Sequence, residues 1–159
     1  MSVVIANRQR TKKINLRLLK QITKALLAEL EIESVELGIN LVGAKEMTLI
    51  NETFLKHEGS TDVITFDHAD GAHGVARPAL HGELFICVDD AVLQAKQFKT
   101  KWQSEIVRYI VHGVLHLLGH DDHRVVARKK MKREENRLLR RLAKKFSLAQ
   151  IAGRPKIST

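Results

Sequence analysis

The chain has 159 residues, 44% of them hydrophobic, with a formal net charge of +9 and one cysteine. That length carries one domain with a sizeable core. The composition is that of a soluble globular protein, with no apolar run near the ~20 residues of a membrane span. Residues 1–7 lack a basic stretch followed by a long apolar one, so no signal peptide is expected. Cys87, alone in an apolar run, cannot form an internal disulfide and reads as a small buried hydrophobe, consistent with a reducing cytoplasm.

From the N-terminus, residues 3–6 predict a short strand and 7–13 a polar loop. Asn15 is placed to cap a helix running to about Glu31, with Leu16, Leu19, Ile22, Leu26 and Leu30 at helical spacing. Residues 34–42 alternate through Val35, Leu37, Ile39 and Leu41, as a strand does. Gly43 breaks it, and 44–55 predict a second helix with Met47, Ile50 and Phe54 facing inward. A loop at 56–60 leads to a strand at 61–66, a glycine-containing loop at 67–81 and a strand at 82–88. Asp89 or Asp90 is positioned to cap a helix through Phe98. The next helix opens at Ser104, with Trp102 before it as a core anchor, and the last runs from about Val125 to Lys145. The expected architecture is α+β, a mixed sheet of about four strands packed with helices. One domain is expected over residues 1–147, with a flexible tail over 148–159.

The chemistry concentrates in His112-Gly-Val-Leu-His116-Leu-Leu-Gly119-His120-Asp121-Asp122-His123, twelve residues that hold four of the eight histidines. His112 and His116, four apart, share one helical face, where two imidazoles can grip one ion. Ile106, Ile110, Val111, Val114, Leu115, Leu117 and Leu118 make this helix apolar nearly all round, so it is expected to be buried, and buried histidines need partners. Gly119 lets the chain turn and swing a third ligand back. Two imidazoles with a carboxylate or a third imidazole, and one position left for water, make a catalytic zinc site.

The charge is just as localised. Residues 124–145 carry eleven Lys/Arg against Glu134 and Glu135, a net of +9 that equals that of the whole chain. A basic stripe beside a metal site points to a polyanionic partner, nucleic acid before membrane.

Three ordered motifs resemble the YbeY family of bacterial rRNA maturation factors, across about residues 35 to 125. Asn51-Glu-Thr-Phe54 is similar to the end of the family's second helix. Thr61-Asp62-Val63-Ile64-Thr65-Phe66 resembles its Thr-Asp-Val-Leu-Ser-Phe strand, and Gly82-Glu83-Leu84-Phe85-Ile86 its Gly-Glu-Ile strand. The stretch from His112 to Gly119 then resembles its zincin-like His-Gly-x-Leu-His-Leu-x-Gly helix. The resemblance implies a cytoplasmic, zinc-dependent, single-strand-specific endoribonuclease holding one ion. Its expected role is in rRNA maturation at the 16S rRNA 3' end and in ribosome quality control, with the small ribosomal subunit as partner and neither DNA nor membrane. Two departures stand out. The family's third histidine falls at Asp122, an acceptable zinc ligand in register, with His123 the alternative one residue on. Leu55 stands where the family commonly carries an arginine tied to RNA processing, leaving Lys56 or His57 to cover that charge.

The expected metal ligands are therefore His112, His116 and Asp122 (or His123), and Arg124, Arg128 and Lys132 are expected to hold RNA. No general base is obvious; the metal-bound hydroxide itself, Asp121 and Glu83 are candidates, with Lys56 a candidate cation in the catalytic site. Asp62 is expected either to orient a ligand histidine or to accept backbone hydrogen bonds in a turn. Helical zinc proteases carry Glu immediately after the first histidine; here it is Gly113, which disfavours a peptidase and suits close approach of a strand. The alternative is a ribosome-associated RNA-binding factor whose zinc is mainly structural.

Overall fold

The computed structural model describes residues 1–56, 59, 61–68 and 79–153. A four-stranded mixed sheet has the order β1-β2-β4-β3, built from β1 (Ser2–Asn7), β2 (Ser34–Val42), β3 (Val63–Asp67) and β4 (Ala79–Cys87). β1, β2 and β4 run parallel, and β3 pairs antiparallel at the far edge. Parallel neighbours need a crossover; α1 (Leu16–Glu29) supplies the first. Asn15 caps it by accepting the Leu18 N–H at 3.1 Å. Its buried positions Leu19, Ile22, Thr23, Leu26 and Leu27 form the stripe that the sequence spacing predicts.

Strand alternation assigns the two faces of the sheet. Val35, Leu37, Ile39 and Leu41 of β2 and Leu80, Leu84 and Ile86 of β4 enter the main core with α1 and with α4 (Trp102–Leu117) and α5 (Val125–Lys145). On the opposite face a smaller cluster of Val42, Met47, Ile64 and Cys87 lies under α2 (Ala44–Ile50). Burial there pushes the Cys87 thiol up to about 11, keeping it protonated and inert.

Several local expectations are corrected. The helix expected over 44–55 ends at Ile50 and continues as a π-helical turn, Asn51–Leu55, closed by the Lys56 N–H on the Asn51 carbonyl. This wider turn shifts the last side chains round the axis. Phe54 is 65% exposed instead of inward, and reaches Phe66 edge to face at 5.8 Å. Neither Asp89 nor Asp90 caps α3 (Val88–Phe98), whose cap is Cys87; both lie in its first turn, where carboxylates suit the helix dipole. Asp89 instead accepts the Ala44 N–H at 2.6 Å, capping α2 from just past the end of the neighbouring strand β4, because Gly43 has no side chain to do so. The histidine helix starts at Trp102, two residues before Ser104. The part of the expected tail that is described is not a tail. Leu148–Ile151 form a short 3-10 turn, Ile151 is fully buried, and Ile14 bridges Ala152, because an apolar Ile beside α1 gains more from burial than from solvent.

Candidate metal centre

α4 is buried from Glu105 to Leu115 except at the positions facing α5 and the cavity beside it. It approaches β4 closely at one residue. A Cβ on Gly113 would stand 2.6 Å from Leu84 Cδ2, so the expected close approach of strand and helix is real. Past the fully packed part, His112 and His116 are only half-buried, which leaves one side of each ring open.

The helix ends in a Schellman motif. Gly119 takes φ +96, its N–H bonds the His116 carbonyl at 3.0 Å, and the His120 N–H bonds the Leu115 carbonyl at 3.0 Å. This turn does two things for the histidines. It brings the His120 carbonyl to 3.1 Å from His116 Nδ1, which donates to it, and it returns the chain so that Asp122 faces both rings. His112 Nε2 and His116 Nε2 stand 3.0 Å apart, with Asp122 Oδ2 at 3.8 and 3.4 Å. His123 does not join them: its side chain is 91% exposed, in a second, outer group with Asp121 and Asp122.

His112 is oriented from α5. Its Nδ1 lies 3.0 Å from Glu135 Oε2, and Glu135 also binds Arg108 at 2.7 Å and Lys132 at 3.6 Å. Burial alone would raise the Glu135 pKa, but the hydrogen bonds from His112 and Arg108 outweigh it and hold the carboxyl below its ordinary value. The hydrogen bond to Glu135, against the opposing effect of burial, raises the His112 pKa above its usual range.

The donor set fits a metal ion. Each imidazole turns Nδ1 to an acceptor, so Nδ1 carries the hydrogen and both Nε2 atoms present lone pairs. Two lone pairs and a carboxylate oxygen within 4.8 Å of one another repel unless a cation or a proton lies among them. Two imidazoles and a carboxylate are a zinc-type set, and a carboxylate-tied histidine is the usual support for it.

Beside this group lies a cavity of about 280 Å³ lined by His112, Asp122, Asp62, Gln94, Tyr109 and Arg128, among others. Asp62 serves the turn and not a histidine: one oxygen accepts the Val63 N–H at 2.8 Å, and the other faces Gln94 at 3.5 Å. The Tyr109 hydroxyl, raised in pKa chiefly by burial, has no hydrogen-bond partner among the described residues. Of the expected RNA-contacting cations, Arg128 and Lys132 line this cavity, whereas Arg124 sits at the N-cap of α5.

The general-base candidates lie elsewhere. Glu83 is on the sheet face opposite α4, since Gly82 and Leu84 take the positions facing the helix, and it pairs with His68 at 3.4 Å. His68 in turn stacks on His81, which pairs with Glu36. Asp121 turns back to accept the His123 N–H at 2.8 Å. Lys56 follows the π turn with φ +55 and is exposed. His57 and His73 lie outside the described residues.

Sequence reasoning missed Glu135, Arg108, Tyr109 and Gln94. For Glu135 a signal existed. Met131, Glu135, Leu138 and Leu142 form the buried stripe of α5, and Glu135 is its one charged member. A lone carboxylate on an apolar stripe needs a partner inside.

A family model described as endoribonuclease YbeY matches residues 4–143. A protein of Myxococcus xanthus named endoribonuclease YbeY is 39% identical over 77% of this chain, a match spanning 42% of that protein. Relatives of the same name from Chlorobium phaeovibrioides and Syntrophotalea carbinolica are 33% and 31% identical, over 77% and 89% of this chain and 78% and 96% of their own lengths. The fold is similar to a Thermotoga maritima protein solved in solution, with a TM-score of 0.67 and 20% identity over 99% of this chain and all of that one.

Proposed function

Since this chain belongs to the endoribonuclease YbeY family, we propose that it is a metal-dependent endoribonuclease that hydrolyses phosphodiester bonds within single-stranded RNA. The observation that carries this reading is the convergence of His112 Nε2, His116 Nε2 and Asp122 Oδ2 beside a cavity that Arg108, Arg128 and Lys132 help to line. These three residues hold one ion, zinc by the chemistry of the donors. When bound, such an ion acts as a Lewis acid toward a phosphoryl oxygen and makes water a nucleophile near neutral pH.

The rest is the work of the chain. Glu135 and the His120 carbonyl fix both rings with Nε2 directed at the ion. Arg128 presents its cation to the negative charge that grows on the phosphodiester during attack, with Lys132 beside it tied to Glu135 at 3.6 Å. Arg108 holds Glu135 ionised, so that the His112 Nδ1 hydrogen stays in place. The expected physiological setting is cytoplasmic, with rRNA maturation at the 16S 3' end and ribosome quality control on the small subunit. Among the described residues, no helix is long and apolar enough to cross a membrane.

A second reading keeps the metal and drops the cleavage: an RNA-binding factor of the ribosome with a mainly structural zinc. Two observations favour it. Glu83 faces away from the cavity, and Leu55 takes the position of the family's arginine. Metal content and cleavage of a single-stranded RNA, measured on one preparation for wild type and His116→Ala, separate the two. One zinc and cleavage in the wild type, both lost in a folded variant, support the nuclease. Zinc that raises the melting temperature without any cleavage supports the binding factor.

A further inference from the structure

We propose that the solvent face of α5 binds the backbone of the RNA strand flanking the scissile bond, through Lys130, Arg133 and Arg140. The inference rests on RNA being the substrate of the metal centre. It concerns a different face of α5 from the one that carries Arg128 and Lys132.

A groove of about 620 Å³ runs along this face, lined by His120, Lys130, Arg133, the Glu134–Arg137 pair and Arg140. The cations recur at intervals of three and four residues, so they form one line on the helix. At 1.5 Å per residue, Lys130 to Arg140 spans about 15 Å, the scale of a few backbone phosphates and not of a single bound anion.

Acids pair with several of the other cations of this helix. Arg137 is held by Glu134, Lys132 by Glu135, and Arg141 and Lys145 by Glu29. Lys130, Arg133 and Arg140 make no salt bridge among the described residues. Lys130 and Arg133 are like charges three residues apart, which disfavour a helix, and a polyanion laid along them offsets that cost.

The groove also touches the metal centre. His120, one of its lining residues, gives its carbonyl to His116 Nδ1, so a strand leaving the metal ligands over His120 enters the groove. The groove offers no Phe, Tyr or Trp on which a base can stack, so the contact is with phosphates and independent of sequence.

The test uses the metal-loaded full chain and non-cleavable 2'-O-methyl RNAs of about four and about twelve nucleotides, the longer one able to reach Arg140. The Lys130→Ala/Arg133→Ala/Arg140→Ala variant replaces only exposed side chains; circular dichroism and metal content check its integrity. Each phosphate contact on a single strand contributes ~0.7 to the slope of log K against log salt. The variant therefore loses about 2 from that slope with the longer RNA, while its affinity for the shorter one changes less than about twofold. An unchanged slope with the longer RNA, in a wild type that cleaves RNA, overturns the stripe alone. A wild type that binds neither RNA overturns the stripe and the nuclease reading together. Equal competition by polyglutamate of matched charge, lost in the same variant, assigns the face to acidic proteins and overturns the RNA assignment.

Discussion

Glu135 of α5 places its carboxylate 3.0 Å from Nδ1 of His112 on α4, joining the basic helix to the metal centre across 23 positions of sequence. The contact fixes the ring and keeps its Nε2 directed at His116 and Asp122. Replacing Glu135 by Gln keeps the shape and removes the charge. Outer partners of this kind are worth 10–100-fold in metal affinity, so Glu135→Gln is expected to bind zinc about tenfold or more weakly in a chelator competition. An affinity equal to wild type would show that the carboxylate only neutralises Arg108.

The same pair sets a pH response. Without metal, the raised His112 pKa contributes stability that is fully present below 6.5 and is lost as pH rises through the folded value. The lowered Glu135 pKa contributes stability that is fully present above 4.5 and is lost as pH falls through its folded value. Melts in chelator should therefore show the pair's contribution largest between those two ordinary values, and Glu135→Gln should flatten it. With metal the sign differs. The ion displaces a proton from His112, so apparent zinc affinity should climb as pH rises through the raised His112 pKa and level off above it. Isothermal titration in two buffers of different ionisation enthalpy reads that proton release.

Asp122 faces both rings, whereas His123 is almost fully exposed. Asp122→Ala should thus lower zinc affinity by more than the ~10–100-fold of an outer partner. His123→Ala should leave zinc content unchanged in elemental analysis. The reverse result would mean that the loop rearranges by one residue on binding the ion.

Gly113 packs against a fully buried Leu84 that has no room to move aside. Gly113→Ala should destabilise the protein by about 1–3 kcal/mol in urea unfolding, the usual cost of overpacking. Leu84→Val in the same chain should recover part of that, since the two sites are in contact and not additive. A neutral Gly113→Ala would mean that α4 can slide on β4.

Much of the scaffold was legible because it is written in short-range periodicity. β2 spans the predicted 34–42 because each side chain there alternates between core and exterior. Asn15 caps α1 through its own neighbours, and α5 begins and ends where the charge and apolar spacing place it. The bounds that shifted did so through contacts distant in sequence. The Asp89 carboxylate caps α2 at Ala44 and not its own helix, and Ile151 docked against α1 instead of fraying. Phe54 turned outward for a backbone reason that side-chain spacing cannot show, the wider turn at Asn51–Leu55.

The metal site divides along the same line. Sequence alone set His112 and His116 on one helical face and put Gly119 at the turn, since a 3.6-residue period and a left-handed dihedral are properties of a few neighbouring residues. Sequence register already favoured Asp122 over His123; only the tertiary structure turned the His123 side chain out to solvent, paired Glu135 with His112, and sent Glu83 to the far side of the sheet. Those outcomes depend on how α5 crosses α4 and on which face of β4 the helix covers, and both are fixed by packing of the whole core.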